Sequence, residues 1–390
     1  MTSHGPLSGI KVLDLGVLIA GPLVGAYFGD LGADVVKVER PGGDPARKTG
    51  RFVEDVSLIW KYIGRNKRTI ALDFGDDADR EVLEALIAEA DVVIENFRPG
   101  VLERHDLAPA RLLALNPRLV ITRISGFGQS GPYRDRSGFG TVAESMVGFV
   151  NLNGWPDGPP TLPPVALADT TAALAAAVCT LSAVLRARAT GEGDVVDVSL
   201  LEPLLNMMSP QFIDYQFTGR DPVRVGNRLE FAAPRGAYRC RDGGWIALSG
   251  ATPRTAASVF EAIGRADLND DPRFATNAAR IEHVEEIDRI LADWAATRTR
   301  EEAVAALEST GAAIGPVYSM ADILADPHFR DRGTFTEIPD EELGSIKLPN
   351  VFGRFERANA AHRHAGRPVD ADREAIVDEW LGRAPSEAVR

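Results

Sequence analysis

The chain has 390 residues, of which 45% are hydrophobic and 25% are charged, and its formal net charge is -13. This length and composition are typical of a globular protein that buries a large core in two or three domains. The acidic balance excludes a general nucleic-acid binder, whereas a local basic pocket for one small phosphorylated ligand stays open.

The first half of the chain alternates strand and helix patterns. Apolar strand patterns occur at residues 10–15, 34–39, 69–73, 91–96 and 119–122, and helical patterns at 23–31 and 79–90. Parallel strands need crossover connections, so this alternation predicts a parallel sheet covered by helices. We therefore expect an α/β protein with a Rossmann-like large domain over residues 1–217.

A second, smaller domain is predicted after residue 217. Residues 195–199 predict a last strand of the large domain, and 200–208 a helix. The charged, glycine-containing stretch 218–228 predicts a linker. Residues 238–249 indicate a hairpin, with helical patterns at 255–263, 282–296 and 300–309. The expected second domain, residues 229–329, is thus of the α+β type, and a final helix is expected at 372–381.

The cysteines and histidines do not predict a metal or disulfide site. Cys179 and Cys240 are far apart, and the six histidines lack a metal-binding spacing. The N-terminus lacks a basic segment followed by an apolar one, and the longest uncharged run, residues 170–185, is short and rich in Thr, Ser and Ala. We expect a cytoplasmic protein that binds no metal and no nucleic acid and is not associated with a membrane.

A strand, a glycine turn and a helix at the N-terminus raise the question of a dinucleotide site. Gly16, Gly21 and Gly25 are five and four residues apart, which does not fit the closely spaced glycines of the NAD fingerprint. Arg40 and Arg104, by contrast, lie in loops that follow predicted strands. These positions suit a phosphate-bearing ligand at the sheet edge, or else solvated side chains.

Asp169 lies between a loop rich in Gly and Pro, residues 151–166, and an alanine-rich stretch, residues 171–190, without acidic residues. A carboxylate there predicts a helix N-cap that stays ionised, because it accepts the free N–H groups of the first turn. The end of a loop is also where a nucleophile would lie. The residues alone leave both interpretations open.

Several motifs in fixed order resemble the class III CoA-transferases, the family of formyl-CoA transferase and L-carnitine CoA-transferase, which also contains α-methylacyl-CoA racemase. The motifs occupy residues 7–15, 20–22, 31–39, 66–68, 95–100, 126–132, 168–169, 190–193 and 315–317. They span nearly the whole chain. Their number and order make the resemblance far more specific than any single motif.

The resemblance implies that Asp169 is the nucleophile of a CoA transfer between an acyl-CoA and a free carboxylic acid. The intermediates would be a mixed anhydride and an aspartyl-CoA thioester. Coenzyme A would be substrate and carrier, with no tightly bound cofactor. The positions that match the family's CoA contacts are Leu18, Ala20, Arg40, Leu72, Asn96, Phe97 and Arg104, followed by Arg136 and Phe139.

The resemblance also implies the assembly. Family members are homodimers whose two chains are threaded through one another like linked rings. Residues 330–390 would then contain a second linker and a C-terminal helix that returns to the large domain. The active site would lie between subunits.

Three departures from the family bear on the substrate. The glycine run of formyl-CoA transferase is missing at residues 235–239, which makes oxalate doubtful as a substrate. The segment 137–140 lacks the histidine that the racemase branch uses as an acid/base group. Residues 364–368 replace the family's usual C-terminal motif. Short dicarboxylic, carnitine-like and aromatic acids all stay open, and the alternatives are an α-methylacyl-CoA racemase or epimerase and a CoA-ester-binding protein without transferase activity.

Overall fold

The computed structural model describes residues 5–382, and their contacts divide the chain into two compact units. Unit 1 comprises residues 5–149, 162–218 and 331–382, and unit 2 comprises Val150–Thr161 and Gly219–Arg330. The chain therefore leaves unit 1 twice and returns to it twice.

The strands are β1 (Lys11–Asp14), β2 (Asp34–Glu39), β3 (Phe52–Val53), β4 (Val56–Ser57), β5 (Lys67–Ala71), β6 (Val92–Glu95), β7 (Val120–Ser125), β8 (Asp194–Ser199), β9 (Arg235–Arg239), β10 (Trp245–Ser249), β11 (Ala313–Pro316), β12 (Phe335–Asp340) and β13 (Gly344–Pro349). The helices are α1 (Ala20–Asp30), α2 (Leu58–Ile63), α3 (Asp77–Glu89), α4 (Val101–Arg104), α5 (Pro109–Leu115), α6 (Gly140–Met146), α7 (Phe149–Leu152), α8 (Leu167–Thr190), α9 (Glu202–Met207), α10 (Ser209–Thr218), α11 (Pro253–Ala262), α12 (Asn277–Glu282), α13 (Val284–Ala295), α14 (Arg300–Ser309), α15 (Met320–Ala325), α16 (Pro327–Asp331) and α17 (Arg373–Leu381).

A six-stranded sheet with the order β5-β2-β1-β6-β7-β8 forms the centre of unit 1, and all its strand pairs are parallel. The predicted α/β class with a large parallel sheet is confirmed. Strand order reverses between β1 and β6, which lie side by side in the middle of the sheet. In open α/β sheets, the crevice outside the carboxyl ends of the strands at such a reversal is where ligands bind.

Helices cover both faces of this sheet. On one face α1 and α8 pack over residues such as Val12, Val35 and Val120, and on the other face α3 and α5 pack with the C-terminal α17, which contributes Ile376 and Trp380. Strand residues buried on both sides explain why the strands read as continuous apolar runs. One strand begins earlier than the pattern predicts, at Lys67, because two charged residues in its first positions hid it from the apolar pattern.

Unit 2 has its own core around a three-stranded antiparallel sheet with the order β11-β10-β9. Helices α11, α13 and α14 contribute Phe260, Leu291 and Leu307 to this core. The predicted hairpin forms here, since β9 and β10 pair in antiparallel register from Arg235 with Ser249 to Arg239 with Trp245.

Helix α8 is the longest helix among the described residues, with 24 residues. By length and apolar composition alone, α8 could cross a membrane. The sequence analysis did not predict this, because it considered only the shorter uncharged run at residues 170–185. In the structure 44% of its most apolar window is buried inside the protein, and one side packs on α1 and on the sheet.

Candidate active site

The loop after β1 is fixed by side chains from two neighbouring segments. The Asn96 side chain accepts a hydrogen bond from Val17 N (2.6 Å) and donates one to Val17 O (2.9 Å), so it pairs with both backbone groups of that residue. Leu18 adopts a left-handed backbone conformation (φ 63°), and its N–H donates to Asp44 Oδ1 at 3.1 Å. A non-glycine residue in this conformation is strained and persists only where its surroundings hold it.

Buried charges lie beneath this loop. Lys37 Nζ is 3.1 Å from Asp44 Oδ2, and Lys67 Nζ is 2.8 Å from Asp14 Oδ2 and donates to Pro22 O. Burial lowers the pKa of the Lys67 ammonium to about 8, despite the opposing effect of Asp14. Each buried charge thus has a partner, as buried charges require, and together they fix the ends of β1 and β2 beside the loop.

The three N-terminal glycines serve close packing. A Cβ atom on Gly16 or Gly25 would lie 3.0 Å from a carboxylate oxygen of Asp14, and one on Gly21 would lie 3.1 Å from the Asn96 side chain. These glycines therefore allow α1 to approach the ends of β1 and β6.

A first cavity of about 360 Å³ opens at the carboxyl ends of the strands and contains Asp169 in its lining. Five of the predicted CoA contacts line it too: Leu18, Ala20, Asn96, Phe97 and Phe139. Among the lining residues in the described part of the chain, Asp169 is the only acid and Arg98 the only cation, and most of the rest are apolar.

A second cavity of about 400 Å³ adjoins the first, because Val17, Phe97 and Val101 line both. It contains the predicted contacts Arg40 and Leu72. The structure therefore brings seven predicted binding residues and Asp169 to one crevice at the strand-order reversal.

Two predicted contacts, Arg104 and Arg136, line neither of these cavities. Arg104 is exposed at the end of α4, and the next residue, His105, lines the second cavity in its place. Arg136 is exposed and lies over the ring of Tyr133, 3.6 Å from the centroid. Both stay predictions for the bound state.

Asp169 is the third residue of α8, not its cap. The helix begins at Leu167, and the capping residue, Ala166, makes no side-chain capping hydrogen bond. The cap interpretation is therefore wrong, because the helix starts three residues earlier than a cap at Asp169 implies. Burial, and then the charge of Glu144, raise the pKa of the Asp169 carboxyl to about 6, so that it is still mostly ionised at neutral pH.

Helix α6 supplies two residues beside Asp169 that the sequence did not indicate. Glu144 is 3% exposed, and its Oε1 accepts a hydrogen bond from Ala168 N at 3.1 Å. Gly140 lies one turn earlier on α6, and a Cβ atom there would overlap Asp169 Oδ2. The pair thus anchors the start of α8 and leaves room for the carboxylate.

The segment before α6 lies against the end of β7. Gly126 and Gly138 approach so closely that a Cβ on Gly126 would lie 2.8 Å from Gly138 Cα. Arg98 donates to Ser137 Oγ at 2.8 Å. From segment 137–140, Gly138 and Phe139 line the first cavity, and no histidine is present in the described lining of that cavity.

The departures at residues 235–239, which form β9, and at residues 364–368 both lie outside the lining of the two cavities. Gly366 N donates to Lys61 O at 3.1 Å, and Trp60 Nε1 donates to Arg367 O at 3.0 Å. This segment attaches the C-terminal part of unit 1 to α2.

Comparisons with known proteins agree with the architecture and the motifs. The CoA-transferase family III model matches residues 7–373. A succinyl-CoA–D-citramalate CoA-transferase of Chloroflexus aurantiacus is 37% identical over 97% of this chain and 94% of its own length. A succinate–glutarate CoA-transferase of Agrobacterium fabrum is 33% identical over 90% of this chain and 92% of its own. The crystal structure of a CaiB/BaiF family protein from Brucella suis has a TM-score of 0.86 and 33% identity, and the match covers 97% of this chain and 100% of that one. The chain therefore belongs to CoA-transferase family III and is an enzyme of the class III CoA-transferases.

Proposed function

We propose that the protein transfers CoA from an acyl-CoA thioester to a free carboxylic acid through covalent intermediates on Asp169. The observation that carries this proposal is a single carboxylate, partly buried and raised in pKa to about 6, in a mainly apolar cavity at the strand-order reversal. A carboxylate with a raised pKa is a better nucleophile than an ordinary aspartate. With a pKa of about 6, Asp169 is still mostly ionised at neutral pH.

The reaction starts with attack of Asp169 on the thioester carbonyl. The carbon–sulfur bond breaks and leaves a mixed anhydride and the CoA thiolate. The thiolate then attacks the Asp169 carbonyl, which releases the first acid and leaves an aspartyl-CoA thioester. The carboxylate of the second acid then attacks the aspartyl-CoA thioester, which releases the CoA thiolate and forms a second mixed anhydride. The thiolate attacks the acyl carbon of that acid, which gives the new acyl-CoA and frees Asp169. All intermediates are activated acyl groups, so the exchange needs neither ATP nor a metal.

The nucleotide end of CoA would occupy the second cavity, near Arg40 and Leu72, and the thiol end would reach Asp169 past Phe97. This orientation gives the phosphates a guanidinium partner and the pantetheine arm an apolar wall. Arg104 and Arg136 would contact CoA from outside the cavities.

Dicarboxylic acids are the substrates that we favour. The two relatives described above are named for citramalate, succinate and glutarate, all of which carry two carboxylates. One carboxylate would react at Asp169, and the other would pair with Arg98, the only cation in the described lining of the first cavity. A racemase lacks comparable support, because no histidine faces Asp169 from segment 137–140.

A homodimer in the cytoplasm completes the proposal. Helix α10 has no buried residue, and its Phe212 and Phe217 are 64% and 82% exposed. Helix α8 of the same unit exposes Val178 and Leu185. Apolar surface of this extent is typical of a surface that another protein covers. The interlocked form is the arrangement that the family resemblance implies.

The test is CoA exchange followed by mass spectrometry. A panel of acyl-CoA donors and free acids should reveal exchange, and intact-protein mass should show a CoA adduct during turnover that hydroxylamine removes. Asp169→Asn should lose both. Exchange that persists in this variant, with no adduct at any time, would eliminate the covalent route. Deuterium from D₂O at the α-carbon without CoA exchange would instead favour the racemase.

A further inference from the structure

Ser125 has a buried hydroxyl that the fold does not use. It is the last residue of β7, it is 6% exposed, and it lines the cavity that contains Asp169. Its Oγ has no hydrogen-bond partner among the described residues. Its backbone, by contrast, is held, because Ser125 O accepts a hydrogen bond from Leu200 N at 3.0 Å.

The neighbouring strand provides a direct comparison. Ser199 is paired with Ser125 in the register of β7 and β8, and it is 2% exposed. Its hydroxyl donates to Glu202 Oε2 at 2.6 Å and accepts a hydrogen bond from Glu202 N at 3.1 Å. The same residue type at the same sheet position therefore stabilises a helix start in one strand and has no structural partner in the other.

A buried hydroxyl without a partner destabilises a fold, because it has lost its hydrogen bonds to water and gained none in the protein. Four other side chains in the described residues have such an atom: Asp44, Gln129, Gln211 and Trp294. None of these four lines the Asp169 cavity, and the unpaired oxygen of Asp44 lies 3.1 Å from the Lys37 ammonium. Among these five side chains, Ser125 is therefore the one that belongs to the lining of the cavity where the reaction would occur.

We propose that Ser125 is a catalytic residue whose hydroxyl donates a hydrogen bond to the acyl carbonyl oxygen while Asp169 attacks. This role rests on the proposed function. An Asp169 oxygen forms a bond to the carbonyl carbon, and the carbonyl π electrons move to oxygen. When the tetrahedral species collapses, the carbon–sulfur bond breaks and the electron pair leaves with the thiolate. Ser125 keeps its proton throughout and stabilises the negative oxygen.

Ser125→Ala tests this role because it separates catalysis from stability. We expect kcat to fall about 100-fold, the scale for loss of one oxyanion donor, with little change in the KM for acyl-CoA. The melting temperature should stay the same or rise slightly, since the removed hydroxyl has no partner. Ser199→Ala is the matched control, and it should lower the melting temperature but leave turnover per folded molecule within about twofold.

The outcomes also separate this inference from the proposed function. Full turnover in Ser125→Ala, with the Asp169 adduct forming at the unsubstituted rate, would overturn the role of Ser125 alone. A KM that rises while kcat stays constant would likewise overturn it, since the hydroxyl would then bind only the ground state. No exchange and no adduct in the unsubstituted protein would overturn the proposed function, and the role of Ser125 with it.

Discussion

The reactivity proposed for Asp169 depends on the residues that surround one side chain. Burial is the larger cause of its raised pKa, and Glu144 on α6 is the second. Arg98 lines the same cavity and is the only cation in its described lining. A buried carboxylate that lacks a close cationic partner gains from forming a covalent bond, because the anhydride and the thioester carry no charge at that position.

Glu144→Gln should move the acidic limb of the pH profile. The neutral amide can still accept the hydrogen bond from Ala168 N but removes a negative charge near Asp169. The pKa of Asp169 should therefore fall from about 6 toward its usual range, though not completely, because burial remains. Measured as kcat/KM against pH, the limb should shift to lower pH.

Glu202→Gln is the control for this shift, since Glu202 lies on a different helix, α9, where it binds Ser199 of β8. It should leave the limb in place. A limb that stays near pH 6 in Glu144→Gln would mean that the Glu144 charge does not act on the nucleophile.

Asp169→Asn should stabilise the fold at high pH only. The raised folded-state pKa means that ionised Asp169 destabilises the native state, an effect that is absent below pH 4 and fully present above about pH 6. The gain in unfolding free energy should be on the order of 2 kcal/mol at pH 8 and close to zero at pH 4. Thermal unfolding at pH 4 and at pH 8 measures this gain. As a control, substitution of the exposed Asp157 by Asn should leave the free energy of unfolding unchanged at both pH values. An equal gain at both values would contradict the raised pKa.

Arg98→Met should separate dicarboxylic from monocarboxylic acceptors. Loss of a charge-assisted hydrogen bond should raise the KM for a dicarboxylate about 10- to 100-fold and leave a monocarboxylate nearly unchanged. Steady-state kinetics with succinate and butyrate would measure this. Arg134→Met, an exposed arginine outside both cavities, is the control. Equal effects on both acids would remove Arg98 from substrate recognition.

At the scale of elements, the site is made by two loops that the sheet topology brings together. The loop after β1 and the loop after β6 meet because these strands are neighbours at the strand-order reversal. Asn96 ties one loop to the other through Val17. The strained backbone of Leu18 thus has a fixed support, and the cavity wall is formed before CoA arrives.

Asn96→Ala should loosen the loop after β1 in the free protein. Hydrogen–deuterium exchange of a peptide covering residues 15–20 should speed up without CoA, and the KM for acyl-CoA should rise about 10-fold, the scale for two lost hydrogen bonds. Asn116→Ala is the control, because its side chain binds Ala90 O elsewhere in the unit. Unchanged exchange in Asn96→Ala would show that the loop is held by other contacts.

Sequence reasoning predicted the elements better than the contacts between them. Buried apolar runs predicted the parallel strands, since side chains buried on both faces leave a continuous pattern. The position of Asp169 in α8 was missed, because no cap residue marks the helix start. Glu144, Gly140 and Ser125 were missed for a different reason. Their importance comes from distances across α6, α8 and β7, and nothing in the local sequence encodes these distances.

At the scale of the whole molecule, unit 1 is assembled from three separate chain segments. The C-terminal segment closes it, since α17 packs against α3 and β5, and Asp372 accepts a hydrogen bond from Thr69 N at 2.9 Å. The same unit leaves a large apolar surface on α8 and α10 exposed. A protein that buries its sheet on both faces and still exposes this surface is suited to assembly with a second copy.

A charge placed on that surface should therefore split the proposed homodimer. The unsubstituted protein should have a sedimentation mass of about twice 42.0 kDa. Phe217→Asp, alone or with Val178→Asp, should lower this mass toward that of a single chain, because a carboxylate buried in the interface opposes association. Leu115→Asp, on the opposite side of the sheet, is the control and should keep the larger mass. A mass of 42.0 kDa for the unsubstituted protein at micromolar concentration would contradict the dimer. If the chains are interlocked, as the family resemblance implies, the single chains should also lose CoA exchange, since the active site would then need both copies.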